Sequence, residues 1–225
     1  NIDFFEKNKI KKINTTSAHS VTIPGAVHAW HSMHQKFGKL DFQELFLKAE
    51  EYARNGFPVH EVVAKNWKEN TNKLSQHTTT NSIFLNQGKP YSFGEKHKNI
   101  SLANTLKAIG KNGAKDFYEG YIAQDIVKTL NDAGGLHSIE DFYNQKTIFS
   151  ESLYNNYKNM KIHQCPPNGP GITVLMMMAM LEKFEFKNIN PLSFERFHLQ
   201  AEISKIAYEQ RETNIGDPEF NDFNY

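Results

Sequence analysis

Between Pro24 and Gly56 the chain alternates periodic apolar stretches with glycine, and this punctuation restricts the fold more than any other feature. Across 26–37, Val27, Trp30, Met33 and Phe37 recur at three- and four-residue spacing on one helical face, and Gly38 supplies the stop. Asp41 then offers a cap for a helix over 42–54, where Leu45, Phe46, Ala49 and Ala53 align before Gly56. Two amphipathic helices joined by short turns predict packed helical scaffold.

The same reading extends downstream. Phe57-Pro58-Val59 predicts an extended link into a helix over about 60–74, and "SQHTTTNS" after it predicts a loop. A short strand is expected at 83–85, then helices over 102–109 and 115–133, the second closed by Gly134 and Gly135. Ser138 with Asp141 three residues on predicts a capped short helix at 139–143. From 147 the period shortens to alternation around "NNYKN", which predicts two strands meeting at a polar turn. Residues 166–171 then turn the chain into a Met-rich core helix, and a helix over 194–208 follows. The fold class expected is α+β, predominantly helical with a few short strands, in a single domain over 1–225.

Composition narrows the function by exclusion. Lys plus Arg number 26 against 25 Asp plus Glu, so no net field favours nucleic acid, a membrane surface or an acidic polymer, and only local patches are left open. The apolar run 172–181 is about half the length that a bilayer-spanning helix needs, so no membrane partner is expected. Residues 1–13 contain no apolar h-region, so no signal peptide is visible, and the compartment is left open. Cys165 is the single cysteine, which excludes an internal disulfide and a two-cysteine metal site.

Motifs for catalysis are equally sparse. "NGPG" is followed by no Lys-Ser/Thr pair, and Pro170 lacks an N–H for a phosphate cradle. His28, His31 and His34 drift about 60° round the helix per step, whereas zinc favours a pair four apart; they predict a solvated face. No Gly-x-Ser-x-Gly elbow occurs. The arginines are Arg54, Arg196 and Arg211 alone, so few positions could clamp a carboxylate with two bonds. The residues by themselves assign no catalytic, substrate-binding or metal-ligating position.

Four stretches nevertheless stand in a characteristic order: "TIPGAVHAWHSMHQKFGKLDFQELFLKAEEYARNGFPV", "NGAKDFYEGYIAQDIVKTLNDAGGLHSIEDFYNQ", "PPNGPGITVLMMMAMLEKF" and "AYEQRETNIGDPEF". Together they resemble the large-subunit region of the γ-glutamyltransferase family of N-terminal-nucleophile hydrolases, an αββα fold. In the last stretch Gln210 and Arg211 match the family's Asp-Arg, and Gly216-Asp217-Pro218 is intact. The resemblance implies a precursor that cleaves itself, so that a Thr becomes the first residue of a small subunit, the partner expected from the same precursor. That Thr is nucleophile and base together, since an α-amino group titrates near 7.7–8.0. Its substrate is a small γ-glutamyl or other amide, and no metal or cofactor is needed.

The resemblance also sets expectations about what these 225 residues lack. The family's glycine-rich N-terminal part corresponds to sequence ahead of Asn1 and its nucleophile to sequence beyond the "GDP" motif, so the chain alone is expected to be inactive. The transferases carry an Arg for the glutamyl α-carboxylate in "D-F-R-E-x-A-P", and "IDFFEKNK" here matches it with Phe5 at the Arg position. "PPNGPG" stands where the transferases have Pro-Pro-x-Ser-Ser-Gly-Gly. Both departures suggest a related acylase or amidohydrolase with another acyl group, and a non-catalytic helical scaffold module is the further alternative. Family members are periplasmic, secreted or cytoplasmic.

Overall fold

In the computed structural model residues 2–221 are described, and the backbone contacts group the chain into two compact units that divide after Thr147. The first unit contains α1 (Ile2–Lys7), a 3₁₀ turn at Ala18–Ser20, α2 (Ala26–Phe37), α3 (Glu44–Asn55), β1 (Phe57–Pro58), α4 (Glu61–Glu69), α5 (Thr71–Leu74) and α6 (Thr78–Phe84). It continues through β2 (Leu85–Asn86), β3 (Lys89–Pro90), β4 (Lys96–His97), α7 (Ile100–Glu119), α8 (Tyr121–Asp132) and α9 (Ile139–Tyr143). The strands are two-residue antiparallel bridges, β1 on β4 and β2 on β3.

The core of this unit gathers Val27 of α2, Phe46 of α3, Ile109, Phe117 and Tyr118 of α7, Ile122 of α8 and Phe142 of α9. Its geometry depends on two glycines of α7. A Cβ on Gly110 would lie 3.3 Å from the Phe46 Cβ, tighter than ordinary contact, so α3 crosses α7 closely there. At Gly113 the backbone leaves the helical region (φ 72, ψ −162) and kinks α7, a conformation that disfavours any Cβ. The kink directs Phe117 and Tyr118 into the core beneath α2.

The second unit is smaller. Strands β5 (Leu153–Tyr157) and β6 (Met160–Gln164) form an antiparallel hairpin with Tyr157 opposite Met160. Helix α10 (Gly171–Leu181) packs on both strands, and α11 (Phe194–Asn214) lies along α10. The Lys158 N–H at the hairpin turn donates to Glu182 at 3.1 Å, tying the turn to the end of α10.

Several expectations are corrected. Residues 78–84 form α6 rather than a loop, because Phe84 anchors the segment by packing edge-on against Trp67. The expected strand at 83–85 shrinks to Leu85–Asn86 for the same reason. The helix over 60–74 divides at Asn70, where the Asn70 amide and the Thr71 hydroxyl bond carbonyls of the preceding turn and compete with helix propagation. The helix over 115–133 is interrupted at Gly120 (φ −95, ψ −161), and α11 runs six residues beyond Tyr208. The Ser138–Asp141 capping box and the hairpin are present as expected.

A further correction concerns α2. Its helical span is as expected, yet of its apolar stripe only Val27 is buried; Trp30, Met33 and Phe37 are 46%, 54% and 67% exposed. The face turned towards α7 carries His28 and His31 instead.

Phe142 is fully buried among Tyr118 and its neighbours. Phe142→Ala is expected to lower the unfolding free energy by about 3–5 kcal/mol, read from the denaturant midpoint at unchanged m-value.

Candidate functional site

Helix α2 starts without a side-chain cap, because Gly25 at the N-cap position has no acceptor to offer. The Tyr118 hydroxyl replaces it from 90 residues away: it accepts the His28 N–H at 3.2 Å and donates to the Pro24 carbonyl. Burial pushes the Tyr118 phenol above the ordinary tyrosine value, partly offset by its bond from the His28 backbone. The phenol therefore keeps the proton that the Pro24 carbonyl requires.

The His28 ring extends this polar centre. Its Nδ1 accepts the Thr147 N–H at 3.1 Å, and since a backbone N–H only donates, the proton of the neutral ring resides on Nε2. The hydroxyls of Thr147 and Ser32 approach the same nitrogen at 2.7 and 3.2 Å. A hydroxyl so close to an imidazole is the geometry of a nucleophile beside its base. Here the ring lone pair is already shared with the Thr147 N–H, and among the described residues no carboxylate orients Nε2. The pair fastens residue 147 to α2 and does not activate the hydroxyl.

His31 packs edge-on against Phe42 at 5.2 Å and fills the space left bare by Gly113. Burial lowers its pKa, and the proximity of His28 and His34 lowers it further. His34 donates from Nε2 to the Leu40 carbonyl at 2.8 Å. The solvated face expected for these three histidines is thus corrected: each is half-buried with its own contact. Among the described residues no group of three or more His, Cys, Asp or Glu is placed to hold a metal ion. Beside His28, His31 and Tyr118 lies a cleft of about 360 Å³, bordered by Glu119, Tyr143 and Lys146.

A second polar group unforeseen in the sequence is His97, 4% exposed inside an aromatic box. Phe57, Trp67 and Tyr91 meet its ring edge-on at 5.6, 5.0 and 5.1 Å, and Phe84 stacks on it at 6.2 Å. Its Nδ1 is buried without a hydrogen-bond partner, and burial lowers its pKa. Five aromatic positions spread over 41 residues of sequence carry no local signal that they meet.

The arginines divide between structure and availability. Arg54 pairs with Glu50 at 3.0 Å and donates to Asn104 at 3.0 Å, joining α3 to α7. The Arg196 guanidinium lies 4.1 Å over the Phe186 ring. Arg211, in the last turn of α11, has no side-chain ion pair or hydrogen bond among the described residues. After it, Asp217 accepts the Glu219 N–H at 3.0 Å and so forms the turn of the "GDP" motif. Residues 166–171 lead into α10, where a Cβ on Gly171 would come within 2.9 Å of the Cys165 carbonyl oxygen. No helix among the described residues is long and apolar enough to cross a membrane.

Comparison with known proteins agrees with this arrangement of turns and caps. The backbone superposes on the Helicobacter pylori gamma-glutamyltranspeptidase with a TM-score of 0.87 at 24% identity, over 95% of this chain and 62% of that one. It superposes on the cephalosporin acylase of Bacillus halodurans with a TM-score of 0.90 at 23% identity, over 100% of this chain and 43% of that one. The architecture is accordingly part of an N-terminal-nucleophile hydrolase fold. A family model described as Gamma-glutamyltranspeptidase matches residues 1–225, and the chain belongs to that family. A curated relative, the glutathione hydrolase-like YwrD proenzyme of Bacillus subtilis (strain 168), is 32% identical over 203 residues, 90% of this chain and 39% of the relative. The chain thus spans about two-fifths of that relative's length.

Two measurements test the polar centres. Tyr118→Phe leaves the His28 N–H and the Pro24 carbonyl without their shared partner and is expected to cost about 1–3 kcal/mol in a denaturant melt. For His97 the folded value is the lower one, so the unfolded chain binds the extra proton. Its contribution is complete above about pH 6.5 and is lost as the pH falls below that value. Unfolding midpoints followed from about pH 7.5 to 5.5 should therefore fall less steeply in His97→Phe than in the unaltered protein.

Proposed function

We propose that the protein containing these residues transfers or hydrolyses the acyl group of small amides, γ-glutamyl amides first among them. The chemistry is performed by an N-terminal Thr on a small subunit cut from the same precursor. The observation that carries this reading is the family match over residues 1–225. The B. subtilis relative's name, a glutathione hydrolase-like proenzyme, supports it. In this reading residues 1–225 are the central and C-terminal part of the large subunit.

The chemistry follows from the chain terminus of that second subunit. Its α-amino group, titrating near 7.7–8.0, accepts the Thr hydroxyl proton at neutral pH. The alkoxide attacks the amide carbonyl, hydrogen-bond donors stabilise the tetrahedral oxyanion, and the amine departs with a proton returned by the same amino group. Water or an acceptor amine then takes the acyl group. The present residues contribute scaffold: Tyr118, His28 and Arg54 are each bonded to backbone or neighbouring side chains.

One observation favours a second reading, an acylase or amidohydrolase with a different acyl group. Phe5 packs in a ring cluster with Phe4 and His19, at 5.5 and 5.4 Å. If it occupies the transferases' arginine position, the two-bond clamp on the glutamyl α-carboxylate is missing.

The test uses the complete gene product with γ-glutamyl-p-nitroanilide and with butyryl-p-nitroanilide, which lacks the α-amino and α-carboxylate groups. Release of p-nitroaniline from the first is expected, together with two bands on a denaturing gel. Those bands should merge when the Thr that begins the smaller is replaced by Ala. A preference for the butyryl amide above about tenfold, or about 1.4 kcal/mol, selects the second reading. A single band with neither amide hydrolysed overturns both.

A further inference from the structure

The cleft of about 360 Å³ beside His28 and His31 is walled by three parts of the first unit: α2, the stretch of α7 after the Gly113 kink, and the residues that close and follow α9. Its volume lies in the range of small-molecule sites. Two donors in it are uncommitted. The Thr147 N–H holds the His28 proton on Nε2, and among the described residues that nitrogen has no hydrogen-bond partner, yet it is not shut off from solvent. Lys146 is exposed, and its ammonium has no ion pair among the described residues. The two are held together, because Thr147, bonded to the His28 ring, directly follows Lys146. The third cation, Lys115, is paired loosely with Glu119 at 3.9 Å. Against two lysines the lining thus sets one carboxylate, leaving a single positive charge unbalanced when the histidines are neutral. That excess suits a monoanion, whereas a dianion would exceed it and also meet Glu119.

We propose that this cleft binds a small organic monocarboxylate. The carboxylate accepts from the His28 Nε2–H and pairs with the Lys146 ammonium, two charge-assisted contacts of the stronger kind. Its short apolar body lies against the ring of Tyr143, which is 64% exposed at the border of the cleft. The site is built wholly from residues of the first unit and does not depend on the acyl transfer proposed above.

Saturation-transfer NMR on the complete gene product tests it, with benzoate as the probe, benzamide as its uncharged isostere and inorganic phosphate as competitor. Saturable benzoate binding is expected, with benzamide at least about fivefold weaker. Lys146→Gln should raise the benzoate dissociation constant about fivefold, the scale of one surface charge pair. Glu119→Gln removes the opposing carboxylate and should lower that constant about twofold. Lys48→Gln on α3, remote from the cleft, should leave it unchanged. Opposite shifts from two exposed side chains are not produced by a loss of stability, and binding elsewhere on the molecule is insensitive to both. The proposal is overturned by absence of saturable binding, by a dissociation constant unmoved in either cleft variant, or by benzamide binding as tightly as benzoate. Phosphate displacing benzoate at a lower concentration than benzoate itself needs to fill the site overturns it as well.

Discussion

The first unit turns on one phenolic hydroxyl. Helix α2 begins at a glycine that cannot cap it, and Tyr118 supplies the missing acceptor while donating to the carbonyl of Pro24 just ahead. For Tyr118 to reach that point, α7 must kink at Gly113, and for α7 to lie close enough, Gly110 must admit Phe46. Each step requires the next: two missing side chains permit the approach, and one hydroxyl fixes its register. The buried aromatic core then forms around the fixed point, with Phe117, Tyr118 and Phe142 in one cluster.

This explains why the motifs shared with the γ-glutamyltranspeptidase family read as turns and caps rather than as chemistry. Pro24-Gly25 of one motif and Tyr118 of another are hydrogen-bonded to each other across 94 residues. In this chain that bond is a joint between the start of α2 and α7. The Ser138–Asp141 capping box, in the same motif as Tyr118, does the same for α9.

Local grammar was legible where apolar spacing and turn residues alone decide the element. The bounds of α2, the capping box and the β5–β6 hairpin follow from spacing and turn residues alone. The break at Asn70 and the helix at 78–84 were not legible, because local polar competition in one case and the anchoring of Phe84 on Trp67 in the other overrode the simple pattern. The inward face of α2 was misread for a different reason. Periodicity shows that Trp30, Met33 and Phe37 share a face; it carries no information about which neighbour covers that face. The polar centre was half legible: the histidine triplet was visible in the sequence, while Thr147 and Tyr118 are joined to it only by the fold.

The distribution of aromatic residues has an optical consequence. The chain has two tryptophans, and the structure puts them in unlike surroundings. Trp67 is held 5.0 Å from the His97 ring, where an imidazolium quenches indole emission. Trp30 lies open to solvent on the apolar stripe, where covering it would shift emission to shorter wavelength. With one tryptophan replaced at a time, the protein's own fluorescence separates the state of its interior from the state of its surface, without any attached dye.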